Sequence, residues 1–213
     1  MAEHDTDEEQ IRALKEWWKE NGRSVVAGVV IGVGTLVGWK GWGVYQEQQA
    51  MEASDRYNNM RSAILAQDLD SIAIQAQELK DNYASTPYAS WGALLLAKAN
   101  EAKNDTAAAI ENLRWASENA KQETVKSLAK LRLARVYIAT AEYAKAEELL
   151  DQSFPEAYTS LYQELLGDLY AQRGNYAQAR QAYDAAIAAA EEADIEFLKM
   201  KRDNLGMPDK ANA

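Results

Sequence analysis

The chain has 213 residues, 47% of them apolar, with a net charge of −10 and an isoelectric point near 4.7. Such acidity repels phosphate backbones and argues against nucleic acid as a partner. The absence of cysteine excludes disulfides, thiolate catalysis and zinc–thiolate sites, and a single histidine, His4, cannot build a histidine-based triad or a multi-histidine metal site.

The first predicted element is a short leader helix within residues 1–23. Thr6 and Glu9 form a capping box. Ile11, Leu14 and Trp18 fall on one face, so this helix is expected to lie on a membrane surface or dock on a partner. Asn21-Gly22 is expected to end it.

Residues 24–45, SVVAGVVIGVGTLVGWKGWGVY, form the second element. They contain six glycines and one charge, Lys40. A helix of this length rises about 33 Å, close to the roughly 30 Å of a bilayer's hydrocarbon layer. Lys40 stands near one end, where its ammonium can snorkel to water. Trp17 and Trp18 precede the run, and Trp39, Trp42 and Tyr45 close it, the placement of an interfacial aromatic belt. Gly28 with Gly32, and Gly34 with Gly38, make two small-xxx-small pairs that would let a second membrane helix approach closely. The leader is acidic, and Gln46, Glu47, Gln48 and Gln49 offer no small-residue cleavage site, so the segment is expected to stay as an anchor. Arg12, Lys15, Lys19 and Arg23 precede it, against only Arg56 and Arg61 soon after. That bias predicts a single-pass protein with its N-terminus in the cytoplasm and residues 46–213 outside, in the periplasm of a Gram-negative cell.

From residue 50 onward, alanine, glutamate, lysine, leucine and glutamine dominate, and the reading is all-α. Breaks are expected at 67–68, 82–87, 103–106, 120–124, 140–143, 154–155 and 173–176, leaving helices of roughly ten to sixteen residues stacked as hairpins. Sliding the chain by 33 residues lays LARVYIATAEYAKAEELL (133–150) over LGDLYAQRGNYAQARQAY (166–183). Small residues at 134, 146, 167, 179 and 186 would let paired helices cross closely. An earlier unit spans about 90–119, a degenerate one lies around 57–87, and Ile195, Phe197, Leu198 and Leu205 belong to a capping helix. The pattern of Leu166, Gly167, Tyr170, Ala179, Tyr183 and Ala186 resembles the tetratricopeptide family. That resemblance implies a concave face, lined by the first helix of each pair, that binds peptide or protein. On this register the face holds Trp91, Leu94 and Lys98, then Leu128, Leu131 and Arg135, then Glu164, Asp168 and Gln172. The Lys/Asn clamp that some family members use for a terminal carboxylate is missing.

No phosphate-binding glycine loop stands in a strand–helix context, and carboxylate pairs such as Glu147-Glu148 and Glu191-Glu192 read as solvated helix faces. No catalytic constellation emerges, and neither cofactor nor metal is expected. The whole layout, with EEQIRALKEWWKENG, a glycine-rich span and a tetratricopeptide-like domain, resembles the YfgM-type family of ancillary subunits of the bacterial Sec translocon. That resemblance implies an inner-membrane, non-enzymatic protein-interaction subunit at the SecYEG channel. It also implies a membrane-anchored periplasmic chaperone of the prolyl-isomerase type as partner, a part in handing over translocated polypeptides, and, more loosely, a link to envelope stress. The alternative is an envelope scaffold or stress-regulatory adaptor unrelated to secretion.

Overall fold

The first 86 residues contain no proline, so nothing in the covalent chain blocks a continuous helix. The computed structural model describes the backbone of residues 2–205 and the side chains of residues 9–205. His4 and the Thr6 side chain of the expected capping box lie outside the described side chains. Regular structure among the described residues is entirely helical: α1 (Ala2–Leu65), α2 (Leu69–Asn82), α3 (Pro87–Ala102), α4 (Thr106–Asn119), α5 (Glu123–Ala139), α6 (Tyr143–Leu150), a 3₁₀ turn (Glu156–Tyr158), α7 (Thr159–Gln172), α8 (Tyr176–Ala188) and α9 (Glu192–Asp203). The chain divides into two compact units, residues 1–49 and 50–213.

The first unit is helix α1 alone. The helix does not end at Asn21-Gly22 as the dipeptide suggests. Asn21 Nδ2 donates to the Trp17 carbonyl at 3.1 Å, one turn back along a helix that continues, so its amide caps no helix end. Propensity is worth only about 1 kcal/mol at a glycine and yields to a helix that continues on both sides. The apolar run is exposed all the way round, with Trp39 at 80%. By length and composition α1 holds a candidate membrane span, no part of which is buried. A Cβ added at Gly28, Gly32, Gly34 or Gly38 would meet nothing within 4 Å.

The second unit is an array of helical hairpins: residues 50–65 of α1 with α2, then α3 with α4, α5 with α6, and α7 with α8, closed by α9. Each hairpin turns in the same way. Gln67, Asn104, Ala141 and Gly174 adopt φ of 57°, 62°, 59° and 76°. The next residue's N–H then reaches back five residues, from Asp68 to Ala63, Asp105 to Asn100, Glu142 to Tyr137 and Asn175 to Tyr170, at 2.8–2.9 Å. These are Schellman turns, which satisfy carbonyls left open at a helix end. Asp68 and Asp105 go on to cap α2 and α4, accepting from the backbone N–H of Ser71 and Ala108 at 3.1 Å. The turn positions are 37, 37 and 33 residues apart, so the unit around 57–87 that looks degenerate in sequence is a full hairpin. The unequal spacing explains why a single shift of 33 aligned only the last two units. One expected helix length fails: α6 has 8 residues, ended where Asp151–Pro155 leave the helical path.

The small residues act as expected. Ala134, Ala146, Ala179 and Ala186 are fully buried. A Cβ at Gly167 would lie 2.5 Å from Tyr183 Cε1, so α7 and α8 approach through the missing side chain. Gly92 plays the same part, its missing Cβ 2.8 Å from Leu79 Cδ1. One core joins α3 through α7 around Leu113, Leu131, Leu165 and Leu169, and a second gathers Met60, Ile72, Ala76 and Leu79. Trp115 packs against both.

Candidate partner-binding face of the array

The first helix of each hairpin sets one row of side chains toward its neighbours. On α3, Trp91 and Lys98 are exposed, with Trp91 at 39%, whereas Leu94 is only 2% exposed. On α5, Arg135 is exposed, Leu128 is half-buried against the core, and Leu131 is 0% exposed. Leu94 and Leu131 therefore belong to the core and not to an open surface. Residues three or four apart on a helix share a broad face, and its centre turns into the neighbouring hairpin while its flanks stay open.

On α7, Gln172 is exposed, but Glu164 and Asp168 are held in a charge network. Arg135 Nη2 reaches Glu164 Oε2 at 3.2 Å across the hairpins. Lys201, from α9, lies 2.8 Å from Glu164 Oε1 and 2.6 Å from Asp168 Oδ1. The Tyr183 hydroxyl donates to Asp168 at 2.7 Å. Lys201 also sits over the rings of Phe197 and Tyr183, 5.2 and 5.8 Å from their centroids. Burial first, then the hydrogen bond to Asp168, pushes the Tyr183 phenol far above the ordinary tyrosine range. Both carboxylates thus have internal partners.

Two hollows adjoin this network. The larger, about 860 Å³, lies between α7 and α9 and is lined by Arg135, Ser160, Leu161, Glu164, Asp168, Phe197 and Lys201 among others. The smaller, about 340 Å³, includes Gln172 and Tyr183. A third, of about 380 Å³, lies at the other end of the array between Arg61, Ser62, Leu65 and Leu95. Trp91 and Lys98 line none of these, so the structure brings together Arg135, Glu164, Asp168 and Gln172 but not the α3 residues.

Sequence reasoning missed Leu161 and Lys201, and took Phe197 only as part of a capping helix. The signal was present. Shifting Leu128, Leu131 and Arg135 by 33 gives Leu161, Glu164 and Asp168, and a second shift turns Glu164 and Asp168 into Phe197 and Lys201. Helix α9 therefore repeats the first helix of a hairpin, with a cation where α7 carries an anion. Chemically this face offers both apolar and charged contacts. Among the described residues no three His, Cys, Asp or Glu side chains gather as metal ligands.

Comparison with known proteins agrees with this geometry. A family model described as a tetratricopeptide repeat-like domain matches residues 15–207, and so takes in most of α1 together with the array. Among curated proteins, the ancillary SecYEG translocon subunit of Haemophilus influenzae is 29% identical over 96% of this chain and 100% of its own length. The protein of that name from Escherichia coli K12 is also 29% identical, over 97% of this chain and 100% of its own. One from Neisseria gonorrhoeae is 24% identical over 96% of this chain and 100% of its own. Four stacked hairpins with a closing helix, and a family match that runs through all of them, place this chain in the tetratricopeptide repeat-like domain family.

Proposed function

We propose that this chain is a membrane-anchored interaction subunit of the Sec translocon. The observation that carries the reading is end-to-end similarity to proteins named ancillary SecYEG translocon subunits, leader and apolar helix included. The exposed run of α1 supplies the anchor. The excess of Lys and Arg before it supports a cytoplasmic N-terminus and an array on the periplasmic side of the inner membrane. The array then stands beside the exit of the channel. There it links the channel to a membrane-anchored chaperone of the prolyl-isomerase type and helps pass on emerging polypeptides.

Tethering accounts for the mechanism. Confinement beside the channel raises the effective concentration of the array for partners there, to the millimolar range for short linkers, so weak contacts suffice. Exposed Trp91, Lys98, Arg135 and Gln172 are the contact positions that remain open, with Leu128 at their edge. Glu164 and Asp168 act through the network that orients Arg135 and Lys201. Gly28, Gly32, Gly34 and Gly38 leave open strips on α1 where a membrane helix of the channel can pack.

Purification in mild detergent tests the partner, and photocrosslinkers at Trp91 and Arg135 test the face. Channel subunits should co-purify, and channel or chaperone should be caught at these positions. Copurification of other envelope proteins without the channel would favour a scaffold. Protease digestion of intact and opened cells tests the topology: cleavage of the array from the cytoplasmic side would overturn it.

A further inference from the structure

Arg12, Lys15, Lys19 and Arg23 recur at intervals of three, four and four residues, so all four share one face of α1. Glu9, Glu16 and Glu20 occupy the neighbouring face, and Ile11, Leu14 and Trp18 flank the cations on the other side. Ion pairs among the described residues all lie between Arg56 and Asp203, so Lys15, Lys19 and Arg23 have no carboxylate partner there. Arg23 is the last charge before the apolar run, and Lys19 stands one turn above it. Side chains so spaced have Cβ atoms about 5–6 Å apart and can bracket one phosphate.

The stripe of α1 that carries these two cations changes character along its length. The Trp18 indole lies against Gly22, where an added Cβ would be 3.1 Å from Trp18 Cε2. From Trp18 and Lys19 one stripe of the α1 surface passes Gly22 and Arg23 and continues over Val26, Ala27, Val30 and Ile31. It is cationic at one end and apolar at the other, with an indole at the junction. That order complements an anionic amphiphile: a phosphate between ammonium and guanidinium, and an acyl chain along the valines. A protein helix bound through the same cations would need acidic groups beside Lys19 and Arg23 and an apolar stripe beyond them at the same depth. A lipid carries both by its nature.

We infer that Lys19, Arg23 and Trp18 hold one anionic phospholipid at the mouth of the span, with its headgroup phosphate between the two cations, an inference that rests on the membrane placement proposed above. The test uses the full chain in nanodiscs of phosphatidylcholine, with and without phosphatidylglycerol, followed by native mass spectrometry of retained lipids. The wild type should keep phosphatidylglycerol in preference to phosphatidylcholine. Lys19→Gln with Arg23→Gln should weaken that retention about fivefold for each cation removed. Both side chains are exposed, so helicity and insertion should not change. Lys40→Gln, at the other end of the run, should leave retention unaltered. Equal retention by the double variant, or an equal loss in Lys40→Gln, would overturn the site in favour of diffuse charge attraction. Displacement by inorganic phosphate alone would also overturn it, since the acyl chain would then contribute nothing. Failure to insert into either kind of disc would sink the membrane placement and the lipid site together, whereas insertion without selectivity sinks the lipid site only.

Discussion

Leu36 and Leu131 are the same side chain in the same kind of secondary structure, yet Leu36 is 67% exposed and Leu131 is 0% exposed. The difference lies in their surroundings along the chain. Around Leu131 the apolar residues are spaced for one broad helix face and alternate with Lys126, Lys130, Arg132 and Arg135. Around Leu36 they run round the whole helix and are thinned by glycine instead of charge. A helix with one apolar face is completed by its neighbours in the array. A helix that is apolar all round and uncovered by its own chain is a candidate for burial in a bilayer or against another protein.

The sharpest way to break this comparison is to truncate both leucines. Leu131→Ala should cost about 2–5 kcal/mol of array stability, read from the midpoint of chemical denaturation. Leu36→Ala should leave that midpoint unmoved. If Leu36→Ala destabilises the array as much, the apolar run belongs to the soluble fold.

The glycines give a second, smaller contrast. Gly167→Ala drives a methyl into the Tyr183 ring and should cost about 1–3 kcal/mol by the same measurement. Gly32→Ala meets nothing within 4 Å and should not alter the array.

In alkali the network around Asp168 becomes visible. Tyr183 has its phenol pushed up in the folded state, while the unfolded chain ionises it near pH 10. Its contribution is complete below that value and is lost as pH rises above it, because only the unfolded chain can release the proton. Denaturation midpoints should therefore fall above about pH 10, and Tyr183→Phe should flatten part of that fall. Tyr83, held up by its hydrogen bond to Glu52, and Tyr162, held up by burial, should account for more of it.

The smallest effect belongs to the hairpin turns. Ala141 adopts a φ that glycine tolerates better, so Ala141→Gly should add about 0.5–1 kcal/mol of stability, read as a raised midpoint, once the added freedom of the unfolded chain is set against the relief. Gly174→Ala at the equivalent turn should do the reverse.

Much of the fold was legible because its causes are local. The breaks at Gln67-Asp68, Lys103–Thr106 and Arg173–Tyr176 carry residues suited to turns and caps. Small residues such as Gly167 and Ala179 mark where helices touch, and they announce themselves by recurring at 33. The candidate face was legible only in part. A period of three to four residues shows that Trp91, Leu94 and Lys98 share a broad face but not which of them its centre turns inward. Asn21-Gly22 misled for a related reason, since a stop signal depends on what the flanking turns are doing.

By itself, then, the sequence determined the helical class, the apolar run and the repeating hairpins, because composition, hydropathy and short-range periodicity act within a few turns of chain. The tertiary structure alone decided that Leu94 and Leu131 are core, that Lys201 reaches from α9 to bind Glu164 and Asp168, and that four turns share one geometry at unequal spacing. Those outcomes depend on which helix lies against which, and contacts such as Lys201 with Glu164 join residues that only packing brings together.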